Sequence, residues 1–143
     1  MYAQTSVSFR FWNCMPEDMT VDKLITVGQY NQRFNDLLGI NITQKNVVRS
    51  IGLSKHLIKR NHTNCLPYIN RLAEILASPD YIGINPNEAD TSIELVKKYA
   101  ENILVGIKVD ISSDTLYVST MYEIHDSKLQ RRIHSGRLIK FEQ

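Results

Sequence analysis

The sequence predicts an α+β domain in which short helices pack on an antiparallel β-sheet. Three observations carry that expectation. Ile69, Leu72, Ile75 and Leu76 recur at the i, i+3, i+6, i+7 spacing of one helix face, so helical pattern lies in the first half of the chain. The runs Ile103 to Val109 and Leu116 to Tyr122 are β-rich and joined through Ser112-Ser113-Asp114, so strand pattern dominates the second half. A hydrophobic fraction of 43% and a charged fraction of 22% over 143 residues suit one ordinary core.

In chain order, Val7, Phe9 and Phe11 alternate like a strand before Pro16-Glu17-Asp18 turns the chain. Leu24 to Ile42 mixes apolar and amide residues and reads as a strand or a short helix, with a turn at Gly39 and Asn41. Ser54 is placed to cap a short helix over Lys55 to Arg60, which Asn61 to Asn64 breaks. Pro67 fits the first turn of the next helix, and Ser78-Pro79-Asp80 stops it. Tyr81 to Ile84 is a short strand, Asn85-Pro86-Asn87 a turn, and Ser92 to Lys98 alternates Ile93 and Leu95 with polar neighbours as a strand does, with a helix the alternative there. Asp126 or Ser127 caps a last helix carrying Leu129 and Ile133, Gly136 ends it, and Leu138 to Phe141 forms a final strand.

Composition narrows the function classes. No stretch approaches the ~18 apolar residues that span a bilayer, and Met1 to Trp12 lacks the basic start and apolar run of a secretory signal. The expectation is a soluble, cytoplasmic protein with no membrane partner. Cys14 and Cys65 form no C-x-x-C pair and stand at no zinc-ligand spacing to a histidine; free thiols are expected, with Cys65 a small core residue. The net charge of +2 conceals an asymmetry. Leu37 to Ala73 holds six basic residues and no acid, and Ser127 to Phe141 holds five more and no acid. If the fold brings the two segments together they make a basic surface suited to a phosphate backbone; the plainer alternative is two separate solvated faces.

Two constellations have the residue types for chemistry on phosphates. In Lys55-His56-Leu57-Ile58-Lys59-Arg60-Asn61-His62, His56 and Arg60 share one helix face and His62 can turn back toward it. Histidine exchanges protons near pH 7 and arginine holds phosphate through two donors. RNA cleavage needs both: a base for the 2′-hydroxyl, an acid for the departing 5′-oxygen, and cations for the crowded phosphate. A histidine on a short helix is nonetheless more often structural. The second constellation joins the strand hydroxyls of Ser119 and Thr120, read by alternation as lying on opposite faces, to Lys128, Arg131, Arg132, Ser135 and Arg137 around Gly136. An ordinary amphipathic helix with a solvated basic face explains that run slightly better on residue chemistry alone. No G-x-S-x-G, Walker glycine loop or H-E-x-x-H is present, and no metal or cofactor is expected.

The runs His56 to His62, Ala77 to Gly83, Leu116 to Thr120, and Ser127 to Arg132 with Ser135-Gly136-Arg137-Leu138 resemble the phage-associated branch of the barnase–EndoU–colicin–RelE (BECR) nucleases, over roughly residues 42–141. The resemblance implies a BECR-like nuclease domain at 42–143, with 1–41 a strand or arm whose attachment the sequence does not fix. It implies RNA bound across the sheet and metal-independent cleavage leaving a 2′,3′-cyclic phosphate. It also implies a toxin or phage and mobile-element effector, held in check by an immunity protein or antitoxin. By position, His56 and His62 match the helix histidines, Thr120 the strand hydroxyl, and Arg137 with Ser135 the C-terminal motif. Arg60 joins these as a phosphate clamp, with Lys55, Lys59, Ser119, Lys128, Arg131 and Arg132 along the RNA. Asn61 departs from the branch, whose arginine and histidine are adjacent. The alternative is a catalytically inactive RNA- or protein-binding module on the same fold.

Overall fold

Residues 24–142 are described by a computed structural model. The strand expected at Val7, Phe9 and Phe11, the Pro16 turn and Cys14 lie outside the described residues. The elements are β1 (Leu24–Gln29), α1 (Arg33–Leu38), β2 (Asn46–Ser50), α2 (Leu53–Lys59), a 3-10 helix (Thr63–Arg71), α3 (Leu72–Ala77), β3 (Tyr81–Ile84), β4 (Ser92–Lys98), β5 (Asn102–Asp110), β6 (Thr115–Glu123), α4 (Asp126–His134) and β7 (Leu138–Lys140). The seven strands form one sheet in the order β1-β2-β6-β5-β4-β3-β7. Every neighbouring pair is antiparallel except β2 with β6, which run parallel through Val47↔Leu116 and Val48↔Tyr117. The expected α+β class is the one observed.

Strand alternation sorts side chains onto two faces. Ile82, Ile93, Leu95, Ile103, Val105, Ile107, Leu116 and Val118 line one face, under Phe34, Leu53, Leu57, Ile69, Leu72, Ile75 and Leu76 of the four N-terminal helical segments. The opposite face is covered over part of its area by α4, whose Leu129 packs with Val96, Leu104, Ile124 and Leu138. The helices therefore do not all share one side, as a simple helices-then-sheet reading would have it. Burying each large aliphatic side chain contributes about 1.5–3 kcal/mol, and the first face holds most of them.

Local signals explain several boundaries. The helix expected to be capped by Ser54 begins two residues earlier, with Gly52 at the cap position and no side-chain cap; Ser50 Oγ instead accepts the Gly52 N–H at 3.0 Å. Pro67 does not open an α-helix: it sits inside the nine-residue 3-10 segment, which passes to α3 only at Leu72. The helix expected to be capped by Asp126 or Ser127 has His125 at its cap position and no side-chain cap. The stretch from Leu24 is attached firmly: β1 pairs with β2, and Phe34 is fully buried in edge-on contact with Tyr30 and Phe141.

Candidate active site

Residues paired across an antiparallel ladder project to the same face. The pairs Gly83↔Glu94, Glu94↔Gly106 and Gly106↔Thr120 therefore make one row across β3, β4, β5 and β6, on the face that carries α4. The register slips between Gly106 and Ile107, so that Thr120 faces Gly106 and Val118 faces Ile107, with Ser119 the extra residue. The bulge overturns the expectation that Ser119 and Thr120 lie on opposite faces. A Cβ built on Gly106 would meet Thr120 Cγ2 at 2.8 Å and Ser119 Oγ at 3.3 Å, so both hydroxyl residues lean over the same glycine. Ser119 Oγ donates to the Gly106 carbonyl at 3.1 Å.

Over this row stand the two arginines. Arg137 donates from Nε and Nη2 to the two carboxylate oxygens of Glu94, at 2.9 and 2.8 Å. This fork-to-fork pairing raises the Arg137 pKa further above its already high value, chiefly through the hydrogen bonds to Glu94. Arg132 Nη1 lies 3.5 Å from Glu94 Oε2 and donates to the Tyr122 hydroxyl at 3.1 Å. Arg137 can reach Glu94 because Gly136, at φ 84°, ends α4 and sends the chain back over β3. Gly83 permits the crossing: a Cβ there would lie 1.9 Å from the Arg137 carbonyl oxygen. Ser135 sits at this turn, donating to the Arg132 carbonyl at 3.1 Å and accepting the Arg137 N–H at 3.4 Å.

His62 arrives from the other basic segment. The α2 helix ends with the Asn61 N–H on the Ile58 carbonyl at 3.1 Å and the His62 N–H on the Leu57 carbonyl at 2.8 Å, with Asn61 left-handed at φ 61°. These are the two bonds of a Schellman ending, and asparagine is one of the few residues that adopts its left-handed position readily. Asn61, the departure from the family pattern, thus supplies the turn that brings the His62 ring to 5.9 Å from the ring of Tyr122. Burial, and then the charge of Arg60, push the His62 pKa below the usual imidazole range. Residues of both basic segments accordingly meet around Tyr122, in the order His62, Tyr122, Arg132, Glu94, Arg137.

The remaining expected site residues are spread more widely. His56 stands on α2 between the buried Leu53 and Leu57, half-buried, with its Nδ1 closed off from solvent. Arg60 is exposed at the end of α2, Lys55 and Lys59 are exposed on that helix, and Lys128 and Arg131 are exposed on α4. Sequence reasoning missed Glu94 and Tyr122. An acid between Ile93 and Leu95 in a β-rich run was the available signal for the first; Tyr122 gave none beyond strand alternation.

Among the described residues, no three His, Cys, Asp or Glu side chains gather in a way that could hold a metal ion, and no helix is long and apolar enough to cross a membrane. A part-covered sheet with histidine, paired arginines and hydroxyls on its open side has the equipment of a nuclease. The chain belongs to the family described as phage-Barnase-EndoU-ColicinE5/D-RelE like nuclease 3, whose model matches residues 25–131. That span includes His62, Glu94, Thr120 and Tyr122 and stops one residue before Arg132. Comparison with curated proteins and with solved structures finds no match.

Proposed function

We propose that this nuclease cleaves RNA without a metal, by attack of the 2′-hydroxyl on the neighbouring phosphate. The observation that carries the reading is the meeting of His62 with Arg132 and Arg137 around Tyr122 and Glu94. Its lowered pKa keeps the His62 imidazole neutral near pH 7, the form that accepts the 2′-hydroxyl proton. The guanidinium N–H groups that Glu94 does not occupy are donors for the phosphate oxygens. Thr120 and Ser119 orient that phosphate, and His56 is assigned the proton for the departing 5′-oxygen. Arg60, Lys55, Lys59, Lys128 and Arg131 would track the RNA backbone on either side. In this reading the protein is a cytoplasmic toxin or phage effector restrained by an immunity protein or antitoxin.

The test is incubation of the purified protein with total RNA in EDTA, beside His62→Ala and His56→Ala. Discrete fragments with cyclic-phosphate ends are expected, reduced at least ~100-fold in each variant, as loss of a proton-transfer group costs on that order. Wild-type cleavage in a folded variant removes that histidine from the mechanism. A second reading, an inactive RNA- or protein-binding module, draws on Glu94, which already partners both arginines and leaves the exposed cations to bind by charge alone. It predicts salt-sensitive RNA binding with product no different from a protein-free control.

A further inference from the structure

Glu94 has no part in the proton or phosphate steps above, yet it is the most deeply buried charged side chain among the described residues, at 3% exposure. We propose that Glu94 is a positioning residue of the nuclease site: it holds Arg137 and Arg132 in one orientation, so that Arg132 in turn fixes Tyr122 beside His62. The inference rests on the reading that His62 and the two arginines act on an RNA phosphate.

The geometry separates this role from two others. Glu94 is not the base, because both its oxygens accept guanidinium hydrogen bonds, at 2.9 and 2.8 Å, and its burial denies a 2′-hydroxyl access. Nor is fold stability a sufficient role, since a buried ion pair is commonly no better for stability than apolar residues of the same volume. What the carboxylate supplies is direction. Two parallel bonds fix the plane of the Arg137 guanidinium and commit its inner edge, leaving Nη1 for another acceptor. Arg132 uses one nitrogen, Nη1, toward both Glu94 and the Tyr122 hydroxyl, which couples the carboxylate to the ring that His62 rests near. The row neighbours of Glu94 are Gly83 and Gly106, so no side chain directly opposite it on either adjacent strand competes for the arginines.

Glu94→Gln in the full chain keeps the shape and removes the charge. A misplacement of about 1 Å in the arginines costs on the order of 10²-fold, so kcat is expected to fall by about 10- to 100-fold. KM should stay level or drop, because the site gains one net positive charge. The log–log salt dependence of RNA binding should steepen by about 0.7 for each guanidinium released to a single strand. Glu94→Asp retains the charge but draws the carboxylate back by one methylene from the Arg137 fork, and it should reproduce the kcat loss; it decides the matter alone if Glu94→Gln does not fold. Wild-type kcat in the folded variant, or a raised KM at unchanged kcat, overturns the proposal. If the wild-type protein cleaves no RNA, the RNA reading fails separately, and the Arg137 Nε–H resonance judges the positioning role. A protected signal lost in Glu94→Gln supports it, and an unprotected wild-type signal refutes it.

Discussion

Gly83→Ala adds one methyl group, and its consequences follow from the backbone crossing described above. The new Cβ would lie 1.9 Å from the Arg137 carbonyl oxygen, where real Cβ atoms stay beyond 3.0 Å, so the two chains must separate by about 1.1 Å. The obstacle is main chain held in the β3–β7 ladder through Gly83↔Leu138, and it has no rotamer to escape into. A shift of that size carries Arg137 away from Glu94 and lengthens bonds of 2.9 and 2.8 Å past the useful limit. Overpacking alone costs about 1–3 kcal/mol, and the disturbed buried ion pair adds to it, for a total of about 3 kcal/mol or more. At roughly 3–4 °C per kcal/mol for a domain of this size, the midpoint of thermal unfolding should fall by about 10 °C. Circular dichroism melts of both proteins read this directly. Gly39→Ala serves as the comparison: Gly39 is a left-handed glycine at φ 68° with open space around it, so only the backbone cost of about 1 kcal/mol is expected there. A Gly83→Ala midpoint within about 2 °C of wild type would refute the account of how Arg137 is delivered.

Three further predictions concern single side chains. Arg137→Ala should cost about 3–5 kcal/mol of stability, because it leaves Glu94 buried with only the longer contact to Arg132; chemical denaturation measures it, and a loss under 1 kcal/mol contradicts the burial argument. Because the folded-state pKa of His62 is depressed, the unfolded chain binds the proton more readily. Stability attributable to His62 should therefore be intact above about pH 6.5, the ordinary imidazole value, and decline as pH falls through the folded value. His62→Gln should flatten that decline, and identical pH profiles would count against it. The Cys65 thiol, fully buried and pushed up to about 12 chiefly by burial, should resist alkylation at pH 8 in the native protein and react once unfolded. Peptide mapping distinguishes it from Cys14, and rapid native labelling of Cys65 would show the burial to be wrong.

Much of the fold was legible because its signals are local. The Ile69–Leu76 stripe, the β5–β6 strands and the Gly136 stop each depend on residues within a few positions of one another. β2 was not legible. Its Val47 and Val48 are both buried, so it shows no alternation, and its partner β6 is distant in sequence. Glu94 was hidden for a related reason. As the polar partner of Ile93 and Leu95 it reads as the wet side of a half-buried strand, yet that side is covered by arginines about 40 residues onward. The same distance concealed what Arg132 and Arg137 do: as sequence they are free cations, and in the fold they are already partnered by a carboxylate. The bulge at Ser119 lies beyond strict period-two reasoning, which assigned the two hydroxyls to opposite faces.

The parallel pairing of β2 with β6 bears on how the chain reaches this state. Val47 must wait for Leu116, on the order of 70 residues later, and synthesis at ~5–20 residues per second makes that an interval of several seconds. Through it the early β1–β2 ribbon exposes an open edge, and its docking pays a large loop-closure entropy before any contact compensates. Docking of β2 therefore belongs late on the folding pathway, after the local β4–β5–β6 meander has formed. Truncation of Val47 should on that basis hasten unfolding far more than it slows folding.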